Sequence, residues 1–147
     1  MYGLLLTLHL LAASIWTGGH IILSLIILPR VLKERSPERL LAFESAYEKI
    51  GMPALVVQIV TGLTLAYQML PHIPSWFDMS IPIAHGIVAK LILLGLTVVF
   101  ALDARLRVVP KLSPANLNDM AFHIIAVTIF SILFVIVGVS FRAGWWF

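Results

Sequence analysis

YGLLLTLHLLAASIWTGGHIILSLIILP, residues 2–29, contains no Asp, Glu, Lys or Arg. A transmembrane helix needs about 20 predominantly apolar residues, so this stretch reads as the first of several spans. It is too long for a signal-peptide core and lacks a basic leader, and is therefore expected to remain in the mature chain. Two histidines interrupt it, His9 and His20. Eleven helical residues at about 100° each return to within roughly 20° of the starting direction, about 16 Å further along, so both imidazoles share one face. Ionisable groups at membrane depth are costly, which makes an aligned pair a candidate site.

The rest of the chain has the same character: 61% of residues are hydrophobic and only 12% charged, with a mean hydropathy of +1.03. Segments 50–70, 83–102 and 120–141 are also long and apolar enough to span a bilayer. The expectation is one all-α integral membrane domain over residues 1–147, an antiparallel four-transmembrane-helix bundle with helices at about 2–30, 37–70, 82–108 and 114–142. Barrel-type alternation is absent, and no internal repeat is read. Without cysteine, disulfides and thiolate metal sites are excluded.

The basic residues explain themselves through topology, not through nucleic acid. Arg30, Lys33, Arg35, Arg39 and Lys49 surround the first loop, and Arg105, Arg107 and Lys111 the third, whereas the second loop (71–82) has no Lys or Arg. By the positive-inside rule the first and third loops face the cytoplasm, and the second loop and both termini lie on the outer side. Trp76, Trp145 and Trp146 would then form an outer aromatic belt. Ser36-Pro37 and Ser113-Pro114 each read as an N-cap followed by proline at the first helical position. Pro53 is expected to kink the second helix.

Membrane helices pack through small and polar residues, and these pick out the interior: His9, Ala13, Trp16 and His20 on helix 1, and Tyr47, Gly51, Ala54, Gln58 and Thr61 on helix 2. At 1.5 Å per residue, His9, His72 and His85 fall in an outer group near Lys90, and His20 pairs with His123 towards the inner end. Lys90 lies about five residues inside the nearest interface, where an ammonium costs roughly 2.5–3.5 kcal/mol; an anionic partner such as a propionate would justify it. Trp16 and Gln58 are candidate pocket-lining residues. Asp103 with Arg105 or Arg107 reads as an interfacial charge pair, and Glu44, Glu48 and Lys49 as a solvated face.

Two ligand chemistries fit. Imidazole with thioether is a set that favours Cu(I) over hard cations: His9, His20, His85 and His123 would be the main ligands, with His72, Met69 and Met79 around the outer loop, and Met120 and Met52 near His123. A b-type haem is the alternative, held between helices by imidazole pairs such as His9 with His85 or His20 with His123. That would make the protein a haem-dependent membrane oxidoreductase exchanging electrons with quinone, a porphyrinogen or a metal. Against both stands the plainer reading of solvated loop histidines, interhelical hydrogen bonds and packing methionines.

The chain resembles the CopD-type copper-resistance family along nearly its whole length. The resemblance rests on His9 with Ile15-Trp16-Thr17-Gly18-Gly19 and Leu28-Pro29-Arg30; on Phe43-Glu44-Ser45, Glu48-Lys49-Ile50-Gly51 and Pro53-Ala54-Leu55; on Gln58 with Thr61-Gly62; and on Ala89-Lys90-Leu91, Ala101 to Leu106 and His123-Ile124-Ile125. It implies a bacterial inner-membrane protein of copper uptake or tolerance, with a periplasmic copper-binding protein or quinone as possible partner. A more distant similarity is to HemJ-type protoporphyrinogen oxidases, whose helix 1 histidine and helix 3 lysine are matched by His9 and Lys90; helix 4 departs from that pattern.

Overall fold

The computed structural model describes residues 1–145. Four long helices account for most of them: α1 (Tyr2–Glu34), α2 (Pro37–Met69), α3 (Pro82–Lys111) and α4 (Leu117–Ala143), each long and apolar enough to cross a membrane. A short 3₁₀ turn, Ile73–Phe77, lies between α2 and α3.

α1 and α3 run further than the hydropathy pattern suggests, and for one shared reason. Each contains a five-residue π segment, Leu23–Ile27 in α1 and Ala104–Val108 in α3. Each segment ends two residues before a proline: Ile27 and Leu28 precede Pro29, and Val108 and Val109 precede Pro110. Proline lacks the N–H that would close an α turn, and its ring clashes with the carbonyl four residues back. A widened turn, in which Leu28 N–H bonds Leu23 O and Val109 N–H bonds Ala104 O, carries the helix past that defect. Leu28-Pro29-Arg30 and Val109-Pro110-Lys111 thus play corresponding parts in the two hairpins, a local repeat that a reading of the bare sequence passes over.

The starts of α2 and α4 differ. Ser36 is an N-cap, its Oγ accepting from Arg39 N–H at 3.3 Å, with Pro37 at the first helical position. Ser113 is not. The Asn116 side chain accepts from Ser113 N–H at 2.7 Å and donates to Lys111 O at 2.9 Å, so residues 113–116 form a turn and α4 begins only at Leu117. Pro53 sits inside α2 without ending it.

The second loop also departs from expectation. Trp76 is buried, and its indole N–H donates to Leu70 O at 2.8 Å; it satisfies an orphan carbonyl at the end of α2 instead of facing lipid. Trp145 is exposed, and Trp146 lies outside the described residues. In the same loop, Ser80 Oγ and N–H both donate to Asp78 Oδ1 and hold its carboxyl below the ordinary carboxylate range.

Packing is uneven. α1 packs on α2, α3 on α4, and α1 on α4, while α2 and α3 share no interface of comparable extent. Paired contacts run in opposite directions, Trp16 meeting Tyr47 where His9 meets Thr61, and Asp103 meeting His123 where Lys90 meets Gly138. The tightest core lies at the end carrying the basic loops, where Leu23, Leu28, Val31, Leu40, Val108 and Leu117 converge. Above it, a cleft remains between α2 and α3.

Candidate functional site

A cavity of about 420 Å³ fills that cleft and is lined by all four helices. His20 and Trp16 come from α1, Glu44, Tyr47 and Met52 from α2, Phe100 and Arg105 from α3, and Met120 and His123 from α4.

Local helix chemistry fixes the His20 imidazole. Its Nδ1 lies 2.9 Å from the carbonyl of Trp16, one turn earlier. A carbonyl only accepts, so Nδ1 carries the proton and Nε2 keeps its lone pair. The Trp16 ring lies 4.4 Å from the His20 ring at 45°, and the Tyr47 ring stands nearly perpendicular to the imidazole at 5.9 Å. Tyr47 is anchored in turn, its hydroxyl within donating distance of the Ile15 and Trp16 carbonyls at 3.1 and 3.0 Å. The phenol ring fills the space that a Cβ at Gly19 would occupy, and approaches a Cβ position at Gly51 to 2.8 Å. Two glycines thus let an aromatic side chain brace the imidazole.

His123 is differently placed. Its Nδ1–H donates to Asp119 O at 2.8 Å, and its Nε2 meets Asp103 Oδ2 at 2.7 Å. Both ring nitrogens are thus engaged with oxygens, and neither is free for a ligand while these contacts stand. Arg107 grips Asp103 through two contacts of 2.8 and 2.7 Å and reaches Asp119 at 3.0 Å, so His123 is the buried member of an ionic network joining α3 to α4. Arg105 pairs instead with Glu48 at 2.8 Å, a link between α2 and α3 at the cavity mouth. Glu44 and Glu48 therefore line a cavity and do not simply face solvent.

His9 stands at another level. Its Nδ1 is 2.9 Å from Thr61 Oγ1, whose own proton goes to Val57 O at 2.6 Å. The hydroxyl must accept, so Nδ1 of His9 is also the protonated nitrogen. The Lys90 Nζ lies 5.4 Å from the centre of the Phe141 ring and 3.4 Å from where a Cβ at Gly138 would be. Among the described residues an aromatic face, and no anion, meets the ammonium. Gln58 is buried nearby with its Oε1 unpartnered.

The outer histidines do not converge on this level. His85 is exposed and bonds through Nε2 to the backbone carbonyl of Met79 at 2.9 Å, not to its sulfur. His72 and Met79 are exposed, and Met69 is half-buried. The structure thus brings His20, His123, Met52 and Met120 to one cavity and sets His9 with Thr61. Two features escape a sequence reading: the Asp103–His123 contact, which joins residues 20 apart, and the insertion of Tyr47 against Gly19. The adjacent Gly18-Gly19 after Trp16 was the available signal for the second.

Among the described residues no group of three or more His, Asp and Glu side chains is placed to hold a metal ion. Beside Glu44 and Glu48, the cavity wall carries one imidazole lone pair and two thioethers, and imidazole with thioether is a combination that suits Cu(I). The family model for copper resistance protein D (CopD) matches residues 41–142, well over half of the chain. Neither a curated protein nor a solved structure matched it.

Proposed function

The chain belongs to the CopD family of membrane proteins implicated in copper resistance, and from that premise we propose that it holds Cu(I) within the membrane, in the cleft between α2 and α3. His20 and Met52 are the ligands, and Met120 is a station on the way to them. The observation that carries this reading is the His20 imidazole. Its tautomer is locked by Trp16 O, and it lines a cavity together with two thioethers. Imidazole nitrogen and thioether sulfur are the soft donors Cu(I) accepts, and locking the other ring nitrogen is how ligating histidines are usually oriented.

Level along the bundle distinguishes the two methionines. Thr128 Oγ1, which donates to Ile124 O at 2.7 Å, also lies 3.2 Å from the His20 carbonyl, so Met120 is about 12 Å nearer the basic end by helix rise. Met120 is almost fully buried, whereas Met52 is 47% exposed at the open side of the cleft. Copper would move between the basic end and the His20 level by exchanging one thioether for another. The positive-inside rule places the basic end in the cytoplasm, and the 72–80 loop and both termini on the outer side of a bacterial inner membrane. Copper uptake or tolerance is the corresponding role, with a copper-binding protein of the outer compartment as partner.

Titration of the detergent-purified protein with Cu(I) against a chromophoric chelator tests the reading. One saturable site is expected, weakened roughly ten-fold or more by Met52→Leu and much less by Met120→Leu. Absence of saturable binding, or equal affinity in the Met52→Leu protein, would overturn it.

A further inference from the structure

Building on the copper reading above, we infer that the indole of Trp16 is itself part of the cation site, its π face meeting the cation that His20 binds. The two residues are one helical turn apart, and Trp16 serves His20 twice. Its carbonyl takes the Nδ1 proton, which turns the Nε2 lone pair into the ligating one. Its ring stands 4.4 Å from the imidazole, tilted by 45°. A metal ion sits about 2 Å from an imidazole nitrogen, so a cation on the indole side of Nε2 comes within the roughly 6 Å over which an indole face attracts a cation.

The neighbouring aromatic is less well placed. The Tyr47 ring stands 5.9 Å from the imidazole, against 4.4 Å for the indole, and nearly perpendicular to it at 84°. Its hydroxyl is committed to the Ile15 and Trp16 carbonyls. Trp16 lines the cavity yet is only 7% exposed, so its face acts in a largely desolvated setting, where cation–π attraction is strongest. The consequence is selectivity. A site of one imidazole, one thioether and one π face favours a soft monovalent cation over a hard one.

Tryptophan emission during titration with Cu(I), and with Ag(I) as a redox-inert substitute, tests the inference. Both ions should quench part of the emission in step with binding. Trp16→Phe should abolish that quench and weaken binding a few-fold, because a phenyl face attracts cations less, and Trp16→Leu should weaken it roughly ten-fold. A residue that merely packs would tolerate phenylalanine without change in affinity. Saturable binding with unmoved emission, equal affinity in Trp16→Phe and the unaltered protein, or quenching by Cu(I) but not Ag(I) would overturn the role of Trp16 alone. Failure of the unaltered protein to bind either ion would overturn the copper reading, and the role of Trp16 with it.

Discussion

His20→Ala is expected to weaken Cu(I) binding by at least about 100-fold while leaving the fold intact. Loss of a residue that merely orients a ligand already costs 10- to 100-fold in metal affinity, and here the ligand itself is removed. The fold should survive because the His20 side chain adds only ring contacts with Trp16 and Tyr47 to helix packing carried elsewhere, and Tyr47 stays anchored to the Ile15 and Trp16 carbonyls. Competition titration gives the affinity, and circular dichroism with size-exclusion behaviour gives the fold. Affinity within a factor of three of the unaltered protein would show that His20 is not a ligand. By contrast His123→Ala should disturb stability more than affinity, since both of its ring nitrogens are engaged with Asp119 and Asp103.

Gly19→Ala is expected to have the largest effect on stability. The added methyl group would overlap the Tyr47 ring, and the ring cannot simply swing aside, because its hydroxyl is tied to the α1 backbone and it lies between Gly19 and Gly51. Overpacking of this kind costs about 1–3 kcal/mol, visible as a fall of several degrees in the thermal midpoint of the detergent-solubilised protein. Displacement of Tyr47 would also release His20 from its perpendicular neighbour, so Cu(I) affinity should fall in parallel. A second change, Tyr47→Leu, should recover stability in the Gly19→Ala background. An unchanged midpoint in Gly19→Ala would contradict the described packing.

Hydropathy made four helices legible, since nothing else can be done with apolar runs of this length. Helix ends were less legible, because they depend on short-range chemistry with two outcomes. Ser-Pro caps α2, yet the same dipeptide before α4 yields to the side chain of Asn116. The prolines near the ends of α1 and α3 are each preceded by a π turn that the hydropathy pattern does not show.

The candidate site was legible in level and opaque in rotation. Counting 1.5 Å per residue put His20 with His123, which line one cavity, but it also grouped His72 and His85 with His9, from which they stand apart. It could not say that His123 spends both nitrogens on carboxyl and carbonyl oxygens, which follows from how α3 and α4 are rotated against each other. This has a consequence for haem. A bis-imidazole pair of His20 and His123 would have to break the Asp103 contact, and one of His9 and His85 would have to draw His85 away from Met79 O. Nor could spacing foresee that α2 and α3 stand apart, which creates the cleft on which the copper reading depends.

X-ray absorption of the protein loaded with one equivalent of Cu(I) tests the central claim most directly. The account predicts a reduced-copper edge and a low-coordinate first shell containing both imidazole nitrogen and sulfur, with the nitrogen contribution lost in His20→Ala and the sulfur contribution lost in Met52→Leu. A first shell of oxygen and nitrogen alone, or a spectrum unchanged by both substitutions, would contradict it.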